Sequence, residues 1–428
     1  MRVHGIVRVP GDKSISHRAL FLAALARGQS ELRGLLAGDD VKSTARVLRQ
    51  LGTSISTIHA GRATTVSGVR LKAPATRLHC GNSGTTARLA LGVLAGQRFA
   101  AEVTGDGSLR RRPMRRVTEP LQLMGARIVE RDGAAGLLPL TIRGGRLHSL
   151  EYTLPVASAQ VKSALLFAGV TGAVAVTLRE PLPSRDHTER LLAHLGLELH
   201  VAKGAISYQP SDVSLKGFRL TVPGDVSSAA FLVAAAVLAE GGELLIEGVG
   251  VNPTRTGFLA VLERMGAHVA RVNLGAEGAE PVADLLVRPA ELRGTVVAAD
   301  EIPSLIDEAP ALAILASRAS GETVFREVGE LRVKESNRLE LIATNLRAIG
   351  AEAEVRGNDL LVRGSDRPPR GRVETAKDHR LAMAFAVLGT LPGAAVTLSE
   401  RRSVGISYPS FFRDLTRIRD GGRGRSKE

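Results

Sequence analysis

Tryptophan is absent from this chain of 428 residues, and aromatic residues make up only 3% of it. Platforms on which nucleic-acid bases could stack are therefore scarce. Cysteine occurs once, as Cys80, which excludes an internal disulfide and a cysteine-based zinc cluster and fits a reducing compartment. No run of about 18 apolar residues is free of charge, so no membrane-spanning helix is expected. The opening MRVHGIVRVPGDK has neither an apolar core nor a small-residue cleavage site, so a secretion signal is not expected and a cytoplasmic location is. Four motifs are also missing. There is no GxxxxGK(S/T) loop for ATP, no GxGxxG opening a helix after a strand, no HExxH or Cys/His cluster for zinc, and no GxSxG elbow. The chemistry left open is free of metals and of organic cofactors.

What is present is a globular profile. Hydrophobic residues make up 44% and charged residues 23%, and the length suggests two domains. The net charge is +14, which attracts polyanions or anionic small molecules. Charge alone does not choose between nucleic acid and phosphorylated metabolites.

The chain repeats itself. The phrase Leu-x-x-(Leu/Met/Ile)-Gly recurs as LRQLGTSI, LQLMGARI, LAHLGLEL, LERMGAHV and LRAIGAEA, at a spacing of roughly 70 residues with one longer interval. Its glycines, Gly52, Gly125, Gly196, Gly266 and Gly350, stand where a helix ends and a strand begins. A degenerate sixth copy, LTRIR, puts Arg419 at that position. Six Ala/Leu-rich segments interleave with this series and read as helices buried on all sides. The expectation is α/β, with two similar domains of three units each. They would cover 13–224 and 1–12 plus 225–418, with a disordered Gly/Arg-rich tail at 419–428.

The polar residues collect where the buried helices begin. These starts carry Lys13-Ser14, Asn82-Ser83-Gly84-Thr85, Ser158-Ala159-Gln160, Asp225-Val226-Ser227-Ser228, Asp307-Glu308 and Asp378-His379-Arg380. Helix N-caps explain the Ser, Asp and Asn residues taken singly, Asp225 and Ser227 among them. They do not explain Lys13, Arg18 and Arg380, because cations cannot accept hydrogen bonds from free N–H groups and oppose the helix dipole. A cation beside a Gly-rich helix start is instead a phosphate-binding arrangement. The second helix series adds Arg110 to Arg112 before Pro113, a first-turn proline, then Arg185, and then Lys334, Glu335 and Arg338. Positions 334 and 338 would share one helix face. Taken alone, the arginine run also reads as a solvated basic surface, and the Lys334 set as a surface salt-bridge ladder. Together these positions suit acid–base chemistry on phosphorylated or carboxylated small molecules.

The segments PGDKSISHRA, GNSGTTARL, RRRPM, SAQVKSALL, RVKESNRL and DHRLAMA, in this order and spacing, resemble the enolpyruvyl transferases, and among them the branch acting on shikimate 3-phosphate. The resemblance runs from residue 10 to residue 386. It implies the inside-out α/β fold of six βαβαββ units, a monomer, no cofactor, and transfer of an enolpyruvyl group from phosphoenolpyruvate to the 5-hydroxyl of shikimate 3-phosphate. It implies that Lys13, Ser14, Arg18, Ser158, Ala159, Gln160 and Arg185 hold shikimate 3-phosphate, with Asp307 as base near the 5-hydroxyl and Lys334 beside it. Asn82, Gly84 and Arg112 would meet phosphoenolpyruvate, with Lys13 and Gln160 reaching both substrates. Glu335 would protonate the methylene carbon, and Arg338 and Arg380 would clamp the carboxylate. Ala159, Arg185, Glu330 and Ile406 depart from the best-known pattern and resemble a second subgroup. Gly84 implies sensitivity to glyphosate, which occupies the phosphoenolpyruvate pocket in this family. Two rivals remain. One is the sister transferase acting on UDP-N-acetylglucosamine, disfavoured because TGDGSLRRRP has no cysteine. The other is a basic nucleic-acid-binding module.

Overall fold

The computed structural model describes residues 1–130, 136–202 and 204–419. The chain groups into two compact units, each with its own hydrophobic core. One comprises Gly11–Val222 and Glu277–Glu280. The other comprises Met1–Pro10, Pro223–Ala276 and the chain from Pro281 on.

The repeated α/β unit expected from the sequence is present. Its plainest copy runs strand Leu78–His79, helix Gly84–Ala95, strand Ala100–Thr104, helix Arg115–Leu123 and the hairpin Arg127–Glu130/Leu140–Arg143. The first two strands are parallel, and the hairpin adds antiparallel to the second. Four other sheets have four strands in the corresponding spatial order. The sixth copy has only the parallel pair Arg370–Val373 and Ala395–Leu398, and among the described residues it ends at helix Phe411–Arg419 without a hairpin. The expected disordered tail lies, apart from Arg419, outside the described residues, and Arg419 closes that helix.

Two strands are exchanged. Arg2–Arg8 precedes helix Lys13–Leu25 in sequence but pairs with Gly241–Gly250. Arg219–Thr221 precedes helix Val226–Val237 but pairs with Gly28–Arg33. The first repeat of each unit is thus closed by a strand from a distant part of the chain.

The six Ala/Leu-rich segments are helices with buried faces all round, as their lack of a polar stripe requires. Small residues let them approach closely: a Cβ on Gly92 would stand 2.1 Å from the Ala164 carbonyl oxygen. The second series is amphipathic. Gly52, Gly125, Gly196, Gly266 and Gly350 follow its first five helices at φ between 82° and 103°, the left-handed C′ conformation.

Two local expectations are corrected. Pro113 does not open a helix. A short 3-10 turn, Leu109–Arg111, is followed by extended backbone at Arg112 (ψ 137°), as a residue before proline prefers, and the helix starts at Arg115. Nor do Lys334 and Arg338 share a helix face. Lys334 is extended (ψ −152°), and Asn337 caps a helix whose first residue is Arg338.

Candidate active site

Five of the six buried helices begin at a side-chain cap: Asp12, Ser83, Ser158, Asp225 and Asp378 each accept a hydrogen bond from a backbone N–H of the first turn. The capping reading holds for Ser83, Ser158, Asp225 and Asp378, and Asp12 adds a cap it did not include; it fails for Ser227, which lies inside helix Val226–Val237, its backbone N–H donating to Asp225 and its hydroxyl to Glu308. The cations stand beside the caps, and within each unit three helix starts are tied together by side chains.

In the unit built on Gly11–Val222, Lys13 is the first residue after its cap and pairs with Asp40 at 3.2 Å. Arg18 lies one turn further and is buried. Its Nε donates to Thr188 Oγ1 at 2.7 Å, its Nη2 to Ser163 Oγ at 2.7 Å and the Ala159 carbonyl at 3.3 Å, and its Nη1 to the Ser14 carbonyl at 2.9 Å. Burial lowers its pKa to about 10, with Arg185 adding to the fall and Glu189 and Asp12 opposing it. Arg18 thus joins the start of Lys13–Leu25 to that of Ala159–Gly172. Gln160 joins the latter to Gly84–Ala95: its Nε2 donates to Thr85 Oγ1 at 2.9 Å, and its Oε1 accepts from Arg88 Nη1 at 2.7 Å. Asn82 accepts from Arg112 through both its side chain and its carbonyl, the latter at 3.2 Å. A Cβ on Gly84 would stand 2.6 Å from Arg88 Nη1 and 3.5 Å from Arg112 Nη1. Arg185 is half-buried.

In the other unit, Asp307 stands just before helix Ala309–Ala316. Its carboxylate lies 3.5 Å from Arg338 Nη1 and 3.6 Å from Arg380 Nη2, and its carbonyl accepts from Arg380 Nη1 at 2.9 Å. Arg338 is fully buried and also meets Glu335 at 2.6 Å and Asp378 at 2.7 Å. Burial opposes its charge, yet Asp378, Glu335 and Asp307 together push its pKa up. Two carboxylates suited to proton transfer, Asp307 and Glu335, are therefore held on one guanidinium. Lys334 adjoins Glu335 in the chain and is half-buried.

Sequence reasoning missed four groups. Arg88 bridges Gln160 and the Pro113 carbonyl, at 2.7 and 3.0 Å. Its place one helical turn after Gly84 was the available signal. Lys162 is buried between Glu180 at 2.8 Å and Glu189 at 2.6 Å. Arg255 is buried against Asp225 at 3.3 Å and Glu308 at 3.6 Å. His17 meets Thr44 Oγ1 at 2.7 Å in a hydroxyl chain that continues through Thr86 to Ser83. Cys80 is buried, which pushes its thiol pKa up to about 12 and makes it unsuited to act as a nucleophile or acid.

A sequence-family profile described as EPSP synthase (3-phosphoshikimate 1-carboxyvinyltransferase) matches residues 1–415. Curated proteins with the name 3-phosphoshikimate 1-carboxyvinyltransferase are similar along nearly the whole chain. The one from Synechococcus sp. (strain RCC307) is 46% identical over 424 residues, covering 97% of each chain. One from Thermus thermophilus is 48% identical over 418 residues, covering 97% of this chain and 96% of the relative. A solved structure of EPSP synthase from Acinetobacter baumannii superposes with a TM-score of 0.86 at 39% identity, covering 97% of this chain and 96% of the other.

Proposed function

The chain belongs to the EPSP synthase family and transfers the enolpyruvyl group of phosphoenolpyruvate to shikimate 3-phosphate in the shikimate pathway, and from that premise we propose how its residues divide the work. The carrying observation is that Asp307 and Glu335 share the buried Arg338. Asp307 takes the proton of the 5-hydroxyl as its oxygen adds to C2 of phosphoenolpyruvate. Glu335 gives a proton to C3, so that the methylene becomes a methyl group. The tetrahedral adduct then loses phosphate from C2 and a proton from C3, which returns to Glu335, and the double bond is restored.

The cations supply the charge balance. Each substrate brings a phosphate and a carboxylate, and burying them without counter-ions would be prohibitive. Lys13, Ser14, Arg18, Ser158, Ala159, Gln160, Arg185 and Lys334 hold shikimate 3-phosphate. Lys13, Asn82, Gly84, Arg112, Gln160, Arg338 and Arg380 hold phosphoenolpyruvate. Four of the five Arg18 N–H groups also donate to Ser14, Ala159, Ser163 and Thr188, which supports a further role in positioning the Ser14 and Ala159 backbone. We infer a cytoplasmic monomer acting without nucleic acid, metal or organic cofactor. Among the described residues no helix is long and apolar enough to cross a membrane.

The decisive experiment is phosphate release from phosphoenolpyruvate with shikimate 3-phosphate, on the natural protein and on Glu335→Ala. Loss of about 10²–10⁴-fold in kcat is expected for the variant. An unimpaired variant would remove Glu335 from the acid role. Light scattering and activity after dialysis against a chelator test the monomer and the metal-free reaction.

A further inference from the structure

The segment that presents Asp378 and Arg380 is held in a disfavoured shape. It runs from Glu374, which follows strand Arg370–Val373, to Asp378, which caps helix His379–Leu388. Ala376 and Lys377 stand side by side at φ 48° and 59°, and the Asp378 N–H closes the turn on the Thr375 carbonyl at 2.8 Å. Two left-handed central residues suit glycine or asparagine. Alanine and lysine are disfavoured there, because Cβ crowds the following carbonyl oxygen. Such a conformation persists only where its surroundings over-determine it, and it clusters at functional sites.

Two neighbours hold this turn. Asn345 is buried on helix Arg338–Ala348. Its Nδ2 donates to the Glu374 carbonyl at 2.8 Å and its Oδ1 accepts the Glu374 N–H at 2.8 Å, so one side chain engages both backbone groups of Glu374. Ser399 follows strand Ala395–Leu398, which pairs with Arg370–Val373. Its Oγ accepts the Thr375 N–H at 3.0 Å and donates to Glu374 Oε1 at 2.9 Å, and the same carboxylate oxygen accepts the Ala376 N–H at 2.8 Å. Thr375 is itself buried and donates from Oγ1 to Glu400 at 3.2 Å. Arg338 opens the helix that carries Asn345, seven residues or about 10 Å earlier. Helix and turn are therefore tied twice, through Arg338 with Asp378 and through Asn345 with Glu374.

We propose that Asn345 and Ser399 are positioning residues for the phosphoenolpyruvate carboxylate site: they clamp the Glu374–Asp378 turn and thereby fix where Asp378 and Arg380 stand relative to Arg338. Neither is among the residues assigned to a substrate. Asp378 requires a rigid mount, because its carboxylate must meet Arg338 along two bonds and cap its own helix at once. A turn free to relax its left-handed pair would carry that carboxylate and Arg380 away together. The bond from Arg380 Nη1 to the Asp307 carbonyl would move with them. A clamp with a merely structural role would lower stability and leave the affinity of the folded molecules alone. The inference rests on the reading of Arg338 and Arg380 as the carboxylate site.

The test is steady-state kinetics and urea unfolding of full-length Asn345→Ala, Ser399→Ala and Arg380→Ala. KM does not depend on the fraction of molecules that fold, so it separates positioning from stability. In Asn345→Ala and Ser399→Ala the KM for phosphoenolpyruvate is expected to rise about threefold to tenfold, while that for shikimate 3-phosphate keeps its natural value. A lowered urea midpoint with both KM values natural would make the clamps structural only and overturn the proposal. Equal rises for both substrates would overturn it too. Ser399→Ala removes one half-buried hydroxyl and decides alone should Asn345→Ala not fold. Arg380→Ala tests the underlying reading: a natural KM for phosphoenolpyruvate in that variant overturns the carboxylate assignment. A raised KM there, with natural values in the clamp variants, overturns the proposal and leaves the assignment standing.

Discussion

Arg338 and Asp378 meet as a two-point fork: Nε donates to Oδ2 at 2.7 Å and Nη2 to Oδ1 at 3.2 Å, with both side chains essentially out of contact with solvent. The same Oδ1 accepts the Arg380 backbone N–H at 3.0 Å. One carboxylate therefore fixes the orientation of Arg338 and caps the helix that presents Arg380. The two arginines proposed to grip the phosphoenolpyruvate carboxylate share a single support.

Replacing Asp378 with Asn tests that support. Asn keeps the shape and a capping oxygen but leaves Arg338 short of a buried counter-ion. Breaking such a pair costs about 3–5 kcal/mol. Urea unfolding should show a lower midpoint. In the folded fraction the KM for phosphoenolpyruvate should rise about tenfold or more, with a smaller change for shikimate 3-phosphate. Equal rises for both substrates would count against a local effect at Arg338.

The sequence made the repeat legible because glycine at a helix C′ position and a helix apolar on all sides are both enforced by local physics. Gly52 and its four counterparts needed no tertiary information. The sequence reading groups 1–12 with 225–418, but the pairing of Arg2–Arg8 with Gly241–Gly250 and of Arg219–Thr221 with Gly28–Arg33 was not legible, because pairing between strands this far apart leaves no local mark. The charged motif residues could be found, but not the partners that hold them. Arg18 is also bonded to Ser163 and Thr188, more than a hundred residues away, which its motif does not foretell. Lys162, in an apolar helix, was not singled out and is the counter-ion of two buried glutamates.

Gly84 sets the space beside Arg88 and Arg112. A methyl group there would meet Arg88 Nη1 at 2.6 Å, but that atom ends a flexible side chain and the glycine has no left-handed backbone, so Gly84→Ala should fold. The guanidinium must shift, and with it the bond from Arg88 to Gln160. The natural protein should be inhibited by glyphosate competitively with phosphoenolpyruvate. Gly84→Ala should raise the inhibition constant by more than it raises the KM for phosphoenolpyruvate, each by about tenfold (~1.4 kcal/mol) or more. Full activity of the natural protein at millimolar glyphosate, with phosphoenolpyruvate near its KM, would contradict the sensitivity.

Lys162 offers a purely structural contrast. It neutralises Glu180 and Glu189, and burial still holds the Glu189 pKa above its ordinary value despite that neighbour. Lys162→Met should leave two buried carboxylates without their cation and destabilise folding by about 3–5 kcal/mol. Adding Glu180→Gln and Glu189→Gln should recover much of the loss, since a neutral hydrogen-bonded cluster escapes the charge penalty. Chemical denaturation of the single and triple variants measures the difference.

His17 predicts how stability responds to acid. Its ring is fully buried, and burial first, then Lys13 and Arg18, hold its pKa well below 6.5, with Asp12 opposing them. In the folded chain the imidazole stays neutral while in the unfolded chain it protonates near 6.5. Between the depressed folded value and 6.5 the unfolded state therefore binds more protons, and stability falls as pH falls through that window. The slope for this one group reaches about 1.4 kcal/mol per pH unit. His17→Gln can keep a hydrogen bond to Thr44 Oγ1, which His17 contacts at 2.7 Å, but it cannot titrate. Its stability should be nearly level where the natural protein loses stability, so the difference between the two narrows or reverses as pH drops. Urea midpoints for both proteins, taken in steps from neutral pH downward, give that difference directly, and parallel curves would show that acid acts on other groups.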